Sequence, residues 1–248
     1  MKTVFAKLAG TALVLAATVS AQAAPPAVAG ADKGATARPA PRVQAPSTKD
    51  AEAAPTAVAV PAAKDAAFVL RGYRSATFGM TEAEVRDAIQ KDYGLSGDAI
   101  KVEDNPGEQT RVFSIAVPDL LQGGGTARVA YIFGFKTKGL IQVAVQWSKA
   151  TDDKITPERL FSNANILRSH FMDASYRPDT IVTNSIVNGG LLMFRGSDSL
   201  EHTTMLLLQG QLAPGDGSQR MLTPSGLLLL YMADAKNPDV FRLPSGQF

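Results

Sequence analysis

No aromatic residue lies between Phe5 and Phe68, and that gap decides where this chain can fold. From Ala24 onward it reads "APPAVAGADKGATARPAPRVQAPSTKDAEAAPTAVAVPAAKDAA". Alanine and proline without large apolar side chains bury too little surface to offset the entropy of ordering them. Residues 24–67 are therefore expected to form a disordered Ala/Pro-rich tether. What can build a core begins at Phe68 and runs for about 180 residues, enough for one large domain or two small ones.

Ahead of the tether, Lys2 and Lys7 flank the start of the apolar run Leu8 to Val19, and Ala21-Gln22-Ala23 supplies a small-x-small cleavage pattern. This predicts a secretory signal peptide over residues 1–23. The run is shorter than the roughly 20 residues of a membrane span, and no later stretch competes for one. The expected location is the periplasm, across the inner membrane. The chain has no cysteine, which excludes disulfides, zinc thiolates, a thiol nucleophile and a lipoprotein anchor. A formal charge of +2 gives no electrostatic case for nucleic acid.

The segment "FGMTEAEVRDAI" (78–89) is the most patterned in the chain. Thr81 and Glu84 have capping-box spacing, Val85, Ala88, Ile89 and Tyr93 form an apolar stripe, and Gly94 suits a helix stop. Strand signals follow at 111–117, 127–133 and 139–147, separated by "QGGGT" and "GFKTKG" turns. In the third, Ile141, Val143, Val145 and Trp147 alternate with a wetter set, Gln142, Ala144 and Gln146. A second helix is expected from Thr156-Pro157 to just before "YRP". Strand-like runs then recur at 180–187, 191–196, 203–210 and 226–234.

The order helix, strands, helix, strands predicts an α+β protein of two tandem helix-plus-antiparallel-sheet units, over 68–152 and 153–248. "GLIQVAVQWSKATD" and "GLLLLYMADAKNPD" share Gly-Leu, lysine and aspartate at equal offsets, as a divergent repeat would.

Gly79-Met80-Thr81 with Val85 and Ile89 resembles the opening of the small periplasmic module of SmpA/OmlA (BamE-like) lipoproteins. Two tandem helix-plus-sheet units also resemble the layout of the β-lactamase inhibitory protein. The resemblance implies a protein-binding, non-catalytic module and transfers no active site. The second half lacks Gly-Met-Thr, and the missing cysteine withholds lipid anchoring.

No residue set argues for catalysis, a cofactor or a metal. His170 and His202 are the only histidines and have no ligand spacing. "RGSDSLEH" gathers Ser197, Asp198, Ser199 and His202, but such content is ordinary for a turn. The "GGG" at 123–125 leads into a strand and not a helix, so it reads as a turn. Asp98, Asp152 and Asp153 read as solvated loop residues, and Tyr131, Phe133 and Trp147 as core. The expected function is a periplasmic protein-binding or accessory protein of the cell envelope. The alternative is an enzyme or small-ligand carrier whose site forms only in three dimensions.

The candidate partner surface is the run Leu227, Leu228, Leu229, Leu230, Tyr231 and Met232, apolar on both faces of its strand. Alternation places Leu228, Leu230 and Met232 opposite Leu227, Leu229 and Tyr231. Either set can meet the helix. The remaining cover is the first half of the chain, a second protein, or a second copy in a homodimer.

Overall fold

Thr81 starts a helix as the capping pattern predicts. Its hydroxyl accepts the Glu84 N–H at 3.4 Å, and the Glu84 carboxylate accepts the Thr81 N–H at 2.8 Å. This helix, α1 (Glu82–Tyr93), buries Val85, Ala88 and Ile89 and stops at Gly94, which is left-handed at φ 67°. The computed structural model describes residues 68–214, 220–243 and 246, so the expected signal peptide (1–23) and tether (24–67) lie outside the described residues.

Ahead of α1, β1 (Gly72–Tyr73) and β2 (Ala76–Thr77) form a two-stranded ribbon. After it come β3 (Lys101–Asn105), β4 (Thr110–Val117), β5 (Ala127–Phe133) and β6 (Leu140–Ser148). Helix α2 (Pro157–Met172) follows, with the Thr156 hydroxyl capping it and proline in its first turn. The chain then forms β7 (Ser185–Val187), β8 (Gly190–Ser197), β9 (Thr203–Pro214) and β10 (Arg220–Met232).

Strands β3 to β10 make one antiparallel sheet of eight strands, in the order β3-β4-β5-β6-β10-β9-β8-β7. This corrects the expected architecture of two helix-plus-sheet units: the described fold is one large sheet, one small ribbon and two helices. The junction lies at β6, where Trp147 pairs with Leu227 and Gln142 with Met232. A separate first unit would leave β6 as an open edge with a row of unpaired backbone groups, and so would a separate second unit at β10. Pairing the two removes both edges. The segments that echo each other in sequence are these two central strands, and their similar composition matches their similar burial.

Both helices bury their apolar stripes on one face of the sheet, against Phe113, Val129, Tyr131, Val143, Val145, Trp147, Leu206, Leu208, Leu227 and Leu229. The opposite face carries two smaller clusters. One joins Leu192, Met205, Leu230 and Met232, with Val182, Val187 and Ala235 folded against them; the other joins Val112, Ala130 and Ile132. The second half of the sheet thus draws part of its cover from its own loop and from the residues after β10.

Several elements depart from the sequence reading. Strand β3, "KVEDN", carries charge on an exposed edge and gives no apolar alternation. Of 180–187 only Ser185–Val187 is a strand. Strand β10 begins at Arg220 and runs through Pro224, tolerated because the ladder breaks there in a bulge.

Candidate functional site: a groove on the helix-free face

Ser114, Ala130, Ala144 and Leu230 lie side by side across β4, β5, β6 and β10. Three small side chains in one cross-strand row leave a depression in the sheet surface. Val112, Ile132 and Gln142 flank it on one side, and Ala116, Arg128, Gln146 and Leu228 on the other. The resulting groove encloses about 770 Å³, within the size range of ligand and peptide sites.

The floor of the groove is uncharged. Charges sit at its border, where Asp98, Lys101, Glu103 and Arg128 contribute two of each sign. The Arg128 guanidinium meets the Glu103 carboxylate at 3.1 Å. Ser114 is 4% exposed and Gln142 6%, and both line the groove.

The candidate run at Leu227 to Met232 is divided between surroundings. Leu227 and Leu229 are buried in the core on the helix side, and Tyr231 stacks on Tyr73 at 5.3 Å. Leu228 and Leu230 line the groove. Met232 is buried in the second cluster of the same face. Gln142, expected on a wet face, is buried between the Ile132 and Met232 positions.

The other sequence candidates hold turns together. Asp198 is buried, and its carboxylate accepts the N–H groups of Leu70, Leu200 and His202, each at 2.8 Å. His202 Nδ1 lies 3.2 Å from that carboxylate, within ion-pairing distance but outside hydrogen-bond geometry. The Ser197 hydroxyl bonds Thr203 at 2.9 Å and not His202, and Ser199 is exposed. His170 is exposed near the end of α2. Among the described residues no three His, Cys, Asp or Glu side chains are grouped to hold a metal.

The triple-glycine turn is clamped from two sides. Asn163 of α2, 2% exposed, donates to the Gly124 carbonyl at 2.9 Å. Asp152, read from sequence as a solvated loop residue, accepts the Thr126 and Lys154 N–H groups. These bonds hold its carboxyl below the ordinary aspartate range. Tyr131, Phe133 and Trp147 are core, as expected.

A second cavity of about 310 Å³ lies beside the start of α1. Three of its charged side chains engage one another: Arg111 bridges Asp104 at 2.8 Å and Glu82 at 3.5 Å. The hydrogen bond from Arg111 holds the Asp104 carboxyl below its usual range.

Among the described residues no helix is long and apolar enough to cross a membrane. No family model, curated protein or solved structure matches the chain.

Sequence reasoning passed over Ser114 and placed Gln142 only on the wetter face of its strand. The signal was present in the second register of each strand. Residues 114, 116, 130, 144, 142 and 146 are small or polar positions alternating with the core set, and they converge once the strands are aligned.

Proposed function

We propose that this protein is a non-catalytic binding protein of the bacterial cell envelope, exported to the periplasm, that engages another protein through the groove on its helix-free sheet face. The observation that carries the reading is a groove with an uncharged floor of small and polar side chains, on the sheet face against which neither helix packs. The ionisable residues of the groove lie along its border and do not converge on one point of the floor, which supports binding over acid–base chemistry. The signal-peptide pattern supports the location. Of the candidate run, half-buried Leu228 belongs to the contact surface; Leu230 is buried with Leu192, Met205 and Met232, and Leu227 and Leu229 serve the core.

The test is site-specific photocrosslinking in cells, with the crosslinker at Gln146 in the groove or at exposed Arg159 on α2. A discrete protein adduct from Gln146 that is missing from Arg159 is expected. Identical adduct patterns from both positions, or none from either, would overturn the reading.

A further inference from the structure

Asn188-Gly189 is the one Asn-Gly step in the chain, and it makes up the whole loop between β7 and β8, whose last pair is Val187 with Gly190. We propose that Asn188 is a self-modification site, converted in water to aspartate and isoaspartate through a cyclic imide, and that the isoaspartyl form opens the β7 edge of the sheet. The Gly189 main-chain nitrogen attacks Cγ of the Asn188 carboxamide. A new N–Cγ bond forms, the bond from Cγ to the side-chain nitrogen breaks, and ammonia leaves carrying the Gly189 proton. Water then opens the five-membered imide at Cγ, giving aspartate, or at the main-chain carbonyl, giving isoaspartate. Water is the only co-reactant.

The structure selects this asparagine from six. Asn105 and Asn237 precede proline, whose nitrogen has no proton to lose. Asn163 is buried and its amide donates to the Gly124 carbonyl. Asn165 lies inside α2, where the next N–H is committed to the helix ladder. Asn184 leads into Ser185, which has a side chain and is held in β7 against Leu192. Asn188 and Gly189 are both exposed. A Cβ on Gly189 would meet nothing within 4 Å, so the space around the glycine is open. Without a side chain, Gly189 also leaves its nitrogen unshielded and its backbone free to turn toward Cγ.

The two products act differently. Aspartate adds a negative charge to an exposed loop. Isoaspartate routes the main chain through Cβ and Cγ, which lengthens a loop whose length fixes the strand register. Strand β7 is outermost and is held by three residue pairs. Val187 and Val182 pack on the cluster of Leu192, Met205, Leu230 and Met232. A longer loop therefore releases part of that cover and bares the edge of β8.

The purified full chain is incubated at mildly alkaline pH and its peptides are mapped by mass spectrometry, with fragment ions locating the change. The expected result is a gain of one mass unit at Asn188 ahead of every other asparagine. It quickens as pH rises, because the Gly189 nitrogen must give up its proton, and an isoaspartyl methyltransferase labels the product. Asn188→Gln, whose longer side chain closes a six-membered ring far more slowly, loses the gain. Fresh Asn188→Asp reproduces the charge without the added main-chain atom. Amide exchange over Ser185–Val187 should accelerate in the isoaspartyl protein and keep the wild-type rate in Asn188→Asp. No mass gain at Asn188, or a gain that appears first at Asn184, overturns the site. Equal exchange in the isoaspartyl protein, Asn188→Asp and fresh wild type overturns the opening.

Discussion

The carboxylate of Asp198 accepts the N–H of Leu70, a bond that joins two residues 128 positions apart. It fastens the first described residues to the β8–β9 turn, and Phe68 adds a ring contact of 4.6 Å to Tyr176. The same carboxylate holds two N–H groups of its own turn. Burial pushes the neighbouring Tyr176 hydroxyl up to about 12, so it stays neutral and donates to Thr204 at 2.7 Å.

Asp198→Ala is expected to destabilise the fold by about 2–3 kcal/mol, because buried N–H groups lose a charged acceptor. Thermal unfolding reads the loss, and amide exchange at Leu70 should accelerate more than exchange at Val145. Equal acceleration at both would show that Asp198 acts on the whole fold and not on this junction.

The patterned segment at 78–89 works through backbone contact. Gly79 donates to the Leu140 carbonyl and Leu140 donates to the Met80 carbonyl, both at 2.8 Å. A Cβ on Gly139 would stand 2.9 Å from the Gly79 oxygen. Gly139→Ala should therefore cost about 1–3 kcal/mol by forcing α1 off the start of β6. Thr81→Ala should cost about 1 kcal/mol through the lost cap. Denaturant unfolding measures both, and a Gly139→Ala protein as stable as wild type would refute the docking role.

Asn163→Leu keeps the approximate size of the side chain and removes the bond to Gly124. A buried carbonyl left without its donor should cost about 1–3 kcal/mol. The exposed neighbour Ser162→Ala is the control and should be within about 0.5 kcal/mol of wild type.

Acid should loosen the turns held by Asp152 and Asp239. At Asp239 burial opposes the charge, but the Thr137 and Lys136 donors outweigh it and the carboxyl is held low. At Asp152 the backbone donors Thr126 and Lys154 do the same. Both groups lie below 3.8, the ordinary aspartate value. The folded state therefore binds protons less readily than the unfolded chain. Their contribution is complete above the unfolded value and is lost as pH falls through the lower folded value. Melting temperature should be flat from neutral pH to about 5 and fall below about 4. Asp239→Asn should flatten that acid limb, and an unchanged limb would remove Asp239 from the account.

Sequence made the local structure legible. The Thr81 box, the Gly94 stop, the Thr156-Pro157 start and the strand at 127–133 are where their residues indicate, because caps and alternation act within a few positions. The sheet order was not legible. Pairing β6 with β10 depends on which open edges meet, and two separate sheets would show the same alternation. The groove followed from the same gap: Ser114 and Gln142 are unremarkable polar residues until register places them on one floor. Asp198 was visible only as turn content, since its partner Leu70 lies beyond any local window.

The β6–β10 pairing also sets an order of events for a chain made from its amino terminus. Strand β6 is finished long before Gly226 to Met232 leave the ribosome, and during that interval its far edge has no partner. Strands β3 to β6 present that edge bare until β10 arrives, and an unpaired apolar strand is what invites aggregation. A messenger truncated between the end of β6 and Gly226 would yield a sticky fragment and not a smaller working protein.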